Sequence, residues 1–182
     1  MDRVALGSAW DQVWALVTEL LGRPSVQLGY AVSAVVLVGL TLLAVQRARW
    51  GGGRSVVAVA GALSLALFPA LTLARRGVDL RRTPSCDWEW ALAPTNAEQL
   101  LNLVLLFPAG LLGAWALRRI WPVLLVALVL SLGAEAIQAT LDIGACQAAD
   151  MARNVAGALA GAFCGVLLGW ALLWGRARSF AH

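Results

Sequence analysis

Apolar residues fall in long runs broken by short polar stretches, and the run lengths are the first informative pattern. Five runs, at about 26–46, 55–74, 100–117, 121–141 and 154–174, are each near the length that crosses a membrane. A helix rising 1.5 Å per residue needs about 20 residues to span a hydrocarbon core of about 30 Å. The pattern predicts an all-α integral membrane fold of about five transmembrane helices. The third run is the shortest and contains Pro108, which a membrane helix tolerates when neighbouring groups satisfy the freed carbonyl.

The N-terminal stretch has a different period. Leu6, Trp10, Val13, Trp14, Val17 and Leu21 recur every three or four residues, and Asp11 and Glu19 interrupt any continuous apolar core. Residues 1–22 therefore read as an amphipathic helix lying at the membrane interface, with packing against the bundle as the alternative. They do not read as a cleavable signal. Residues 23–182 form the polytopic membrane domain.

Composition agrees with this division. Of 182 residues, 60% are hydrophobic and 13% charged, and mean hydropathy is +0.77. A soluble domain of this size cannot bury that much apolar surface. The net charge of +4 comes from 14 arginines without a lysine. They sit between apolar runs rather than along one face, so anionic head groups are the expected partner and nucleic acid is not.

Loop charge gives a direction. Arg47, Arg49, Arg54, Arg118, Arg119, Arg176 and Arg178 would share one side, with no acid among them. The other side holds the N-terminus and residues 75–99 and 142–153, where seven arginines are accompanied by nine acids. The short, uniformly basic loops place the first side in the cytoplasm, with the N-terminus outside and the C-terminus inside. Cys86 and Cys146 then lie in outer loops, where an oxidising exterior permits a disulfide; two unpaired thiols are the alternative. Cys164 lies within the fifth run and is expected to be a small apolar filler.

Polar groups in hydrocarbon are costly, so those present carry information. Glu98 and Asn102 are four residues apart, as are Asp150 and Asn154; Ser131, Glu135 and Gln138 follow at spacings of four and three. Each set lies on one helical face, and all three fall toward the predicted outer half of the membrane. Asn102 and Asn154 also suit interhelical hydrogen bonding, and Glu98 and Asp150 suit the first turn of a helix. Glu135 lies four or five turns from Trp121 and needs a donor such as Gln138, Asn102 or Asn154 to remain charged. Gly157, Gly161, Gly165 and Gly169 repeat every four residues and predict close packing against another helix, with a partner chain as one candidate. The only histidine is His182, so a histidine zinc site and a Ser-His-Asp triad are excluded; no metal or cofactor is expected.

Three blocks in this order resemble the VanZ-like family. They are residues 96–113 with Asn102, Phe107, Pro108 and Gly110; Ser131, Glu135 and Gln138; and Asp150, Asn154, Gly157 and Gly161. The resemblance covers about 96–170. It implies a bacterial cell-envelope protein of the cytoplasmic membrane, in a family whose namesake is associated with low-level teicoplanin resistance. It also places the family's polar positions on Asn102, Glu135, Gln138, Asp150 and Asn154. Where family members carry a basic residue and a further acid before Asp150, this chain reads Cys146-Gln147-Ala148-Ala149.

Two functions from different classes follow. One is binding of an amphiphilic or lipid-linked molecule in an outer-leaflet pocket lined by Asn102, Glu135, Gln138, Asp150 and Asn154. The other is a small intramembrane enzyme in which Glu135 and Asp150 act as acid and base on a hydrophobic substrate. A transporter is disfavoured by the absence of an inverted repeat.

Overall fold

The structure is a computed structural model describing residues 3–73, 86–90, 92–141, 143 and 146–179, with side chains described from residue 9 to residue 172. Loop residues 75–85, Asp142 and the side chains of Leu6, Trp174, Arg176 and Arg178 lie outside the described set. Seven helices occur among the described residues: α1 Arg3–Leu21, α2 Pro24–Ala48, α3 Gly52–Leu73, α4 Ala97–Leu105, α5 Phe107–Leu117, α6 Trp121–Leu141 and α7 Ala148–Ser179. Five stretches are long and apolar enough to cross a membrane: α2, α3, α4 with α5, α6, and Ala148–Leu172 of α7. The all-α membrane fold expected from the run lengths is the observed one.

Two boundaries differ from the apolar pattern. The third span is broken at Leu106, and α5 restarts with Pro108 in its first turn. Proline is suited to that position because its missing N–H would be unpaired there anyway. The fifth span begins at Ala148, six residues before the apolar run, so Asp150 and Arg153 are helical residues of α7 rather than loop charges.

Local signals account for the ends. Asn96 caps α4 by accepting from the Gln99 N–H at 2.9 Å, while Gln99 Oε1 accepts from the Thr95 N–H at 2.8 Å. This is a reciprocal cap of two otherwise orphaned donors. Pro24 opens α2. At the opposite end of the bundle α2 and α5 close on Arg49 and Arg118, both left-handed at φ 52° and 57°.

Short connections make α2 and α3 antiparallel, and likewise α5 and α6, whereas α4–α5 and α7 run parallel. The parallel contact is set by glycine. A Cβ at Gly157, Gly161 or Gly165 would collide with the carbonyl oxygen of Leu103, Phe107 or Leu111, and one at Gly169 would press on the Trp115 ring. Each collision partner advances by four residues with its glycine, so the two backbones touch along three turns. The glycine stripe is thus taken up within the chain by α4 and α5.

Helix α1 packs its Val13 and Leu20 into the core beside Leu101 and Leu105 of α4, while Trp10 and Trp14 remain exposed. That core also takes Val26, Phe68, Leu71 and Ala134. Cys164 is exposed on α7, which corrects its expected role as an interior filler.

Cys86 and Cys146 form a disulfide across a sequence separation of 60 residues. They also sit opposite each other in a two-residue parallel ladder, β1 Cys86–Asp87 against β2 Cys146–Gln147. Denatured protein should therefore present one thiol to an alkylating reagent before reduction and three after it. Three reactive thiols without reductant would exclude the bridge.

Candidate functional site

The polar residues collect at one end of the bundle. Helix α3 ends there at Leu73, α6 ends at Leu141, and α4 and α7 begin at Ala97 and Ala148. The disulfide ties β1 to β2 at this end, directly ahead of the first turn of α7.

Glu135 is half-buried on the last turns of α6. Its Oε2 accepts the backbone N–H of Gln147 at 2.7 Å. The donor is thus the strand held by the disulfide, not Gln138, Asn102 or Asn154 as the sequence suggested. Gln147 precedes α7, so the Glu135 carboxylate lies by that helix's N-terminus, where its dipole favours negative charge. Asp150 occupies the first turn of α7, near enough for its charge to act on Glu135.

Gln138 turns elsewhere. Its Nε2 donates to the Thr72 carbonyl at 3.0 Å. Thr72 is next to the last residue of α3, so the amide closes one of the carbonyls that a helix end leaves open. The Thr72 hydroxyl donates in turn to the Phe68 carbonyl at 2.7 Å. Gln138 therefore fixes α6 against α3 through its amide nitrogen.

Arg153 is the residue that the sequence reading did not single out. It is 2% exposed, and its Nη1 lies 2.6 Å from Asp150 Oδ1, whose side chain is 19% exposed. Read as a loop residue it balanced charge; as a helical residue it stands one turn beyond Asp150 on the same face. The missed signal was the i, i+3 acid–arginine spacing followed immediately by Asn154. A buried guanidinium at membrane depth is expensive unless it is paired, and here a carboxylate pairs it.

Asn102 and Asn154 are buried. Parallel packing of α4 on α7 sets Asn154 one turn before Gly157 and Asn102 beside Leu103, the partner of that first glycine contact, so both lie below the acids. Ser131 is fully buried one turn below Glu135, and its Oγ and Asn154 Oδ1 form no hydrogen bond among the described residues. The structure thus divides the expected site. Glu135, Gln138 and Asp150 form a partly accessible rim, whereas Asn102, Asn154, Ser131 and Arg153 lie beneath it. Glu98 is exposed on the first turn of α4. No group of three metal-binding side chains occurs among the described residues.

The arrangement presents two carboxylates over a buried arginine, under a covalently fastened strand. Such a rim accepts hydrogen bonds, holds cationic or hydroxyl-rich groups and can exchange protons. An apolar cavity lies apart from it, on the flank toward the arginine-capped end.

The sequence model of the family described as VanZ/LLP1 matches residues 30–169. No curated protein and no solved structure matches the chain.

Proposed function

The chain belongs to the VanZ/LLP1 family, and from that premise we propose that it binds the polar head of an amphiphilic or lipid-linked molecule at the Glu135–Asp150 rim. It is a multi-pass membrane protein of the cell envelope. The observation that carries the binding reading is the buried Arg153 paired with Asp150 of the rim, beside a half-buried Glu135. Polar networks of this kind in a membrane bundle are costly and mark functional positions by default. Because the arginine is buried and the carboxylates form the accessible edge, the rim favours a head rich in donors, such as an amine or sugar hydroxyls. The tail would remain in the surrounding lipid.

On this reading the rim lies in the outer leaflet, with the N-terminus outside and the arginine-capped end in the cytoplasm. Two facts support that direction. The disulfide belongs to the rim end, as an oxidising compartment favours, and the ten acids leave the 47–54 and 118–119 turns uniformly basic. The Trp10 and Trp14 rings of α1 would rest among head groups on the same side.

Glu135→Gln tests the site cleanly, because the amide oxygen still accepts the Gln147 N–H and the fold is kept. In membrane vesicles, capture of a photoreactive amphiphile with an aminosugar head should fall at least tenfold in this variant, with helix content unchanged. Capture undiminished in the folded variant would make the rim a structural feature. A sensitive bacterium expressing the chain should also tolerate more teicoplanin than one expressing Glu135→Gln.

The acid/base alternative rests on the proximity of Glu135 and Asp150, two carboxylates in unequal surroundings. It differs in requiring turnover: purified protein would convert the captured amphiphile, and Glu135→Gln would bind it without conversion.

A further inference from the structure

The opposite end of the molecule carries a second constellation. An apolar cavity of ≈ 270 Å³ lies between α2, α3, α5 and α6. Small side chains line it: Ala58 and Gly61 from α3 and Ala109 and Gly113 from α5, and Val123 of α6 forms part of its wall. Ala44 of α2 and Pro122 and Val126 of α6 line it and are exposed, so the cavity opens sideways as a groove. Along α5 it runs from Leu117 to Leu106. At 1.5 Å per residue that is about 16 Å, close to half of a ~30 Å hydrocarbon core. The groove is therefore one leaflet deep.

Its mouth at the arginine-capped end is basic. The Arg54 guanidinium stacks on the Trp50 ring at 3.8 Å from the centroid, and Trp50 lines the groove. Arg54 Nε donates to the Ala116 carbonyl, at the end of the same helix that Arg118 caps. The terminal nitrogens of Arg54 have no hydrogen-bond partner among the described residues, and the Arg118 charge lies near enough to act on Arg54. Arg47, Arg49 and Arg119 are exposed on the turns at this end, and no acid lies in residues 20–78 or 99–134. Two neighbouring guanidiniums held without a counter-charge repel each other, and an anion between them removes the repulsion.

We infer that this groove is a binding site for an anionic glycerophospholipid, with its phosphodiester between Arg54 and Arg118 and one acyl chain in the groove. The fit has three independent parts. Hydrocarbon suits the lining, one leaflet suits the depth, and a phosphate level with the interface suits the guanidinium pair. The site is separate from the Glu135–Asp150 rim and does not depend on it.

Purified protein in a zwitterionic detergent, titrated with phosphatidylglycerol or phosphatidylcholine and read by native mass spectrometry, tests the assignment. Phosphatidylglycerol should bind at least tenfold more tightly. Arg118→Gly removes a charge and suits the left-handed cap; it should lower phosphatidylglycerol affinity about tenfold. Ala44→Phe, which fills the groove from an exposed lip, should weaken it at least fivefold. Glycerol phosphate should not displace the lipid. Equal retention of the two lipids by the wild type would overturn the site, as would unchanged affinity in Ala44→Phe. Displacement by glycerol phosphate would reduce it to a surface anion contact.

Discussion

Gly161→Ala should destabilise the fold in mild detergent by about 3 kcal/mol or more, at the top of the range for overpacked cores. The added methyl would meet the Phe107 carbonyl oxygen and the Leu111 backbone nitrogen, and a backbone cannot swing aside as a side-chain tip can. The two helices would have to separate. Separation at Gly161 also lifts Gly157 from Leu103 and Gly165 from Leu111, since all three glycines share one parallel contact. The dispersion and Cα–H···O contacts of three turns are lost together. A melting temperature lower by on the order of 10 °C is expected from a loss of that size. Gly133→Ala is the matched control, because a Cβ there meets nothing within 4 Å. If both variants melted with the wild type, α7 would not pack on α4 and α5 as described.

The spans and the glycine period were legible because both depend only on sequence spacing. A run of about 20 apolar residues has few alternatives to crossing lipid, and a four-residue glycine repeat has few uses besides close packing. The Cys86–Cys146 bridge was legible once loop charge placed both residues on one side. Other features depended on partners that spacing cannot supply. The donor to Glu135 is a backbone N–H, which leaves no side-chain signature, and the disulfide that positions it closes across 60 residues. Arg153 was hidden by the start of α7 at Ala148, where alanines and a Cys-Gln pair precede the apolar run. The break at Leu106 was signalled by Pro108, yet proline inside a membrane span fits a tolerated kink as well as a restart. The groove was invisible for a different reason. A cavity belongs to the space between helices, and nothing in the spacing of Ala58, Gly61 or Gly113 names the helix that fails to fill it.

Asp150→Asn is expected to cost about 3 kcal/mol, the lower end of the range for breaking a buried ion pair from one side. The reason is the position of the partner. Arg153 is 2% exposed and cannot turn to water, so an amide in place of the carboxylate leaves it a dipole where it had a charge. Arg153→Met should cost less, because the Asp150 side chain stays 19% exposed and can be hydrated. The double variant, Asp150→Asn with Arg153→Met, should recover to within about 1 kcal/mol of the wild type, since it removes the buried charge together with the carboxylate that faces it. Denaturation of the four proteins in a common detergent measures this coupling. Amphiphile capture by the same four then separates stability from function. A double variant that folds but no longer captures would assign the ion pair to the binding rim, because its fold has been restored without its charge. A double variant that folds and captures fully would make the pair a device for seating α7, leaving Glu135 alone as the polar contact. If Asp150→Asn proved as stable as the wild type, the charge on Arg153 would be balanced chiefly by other groups.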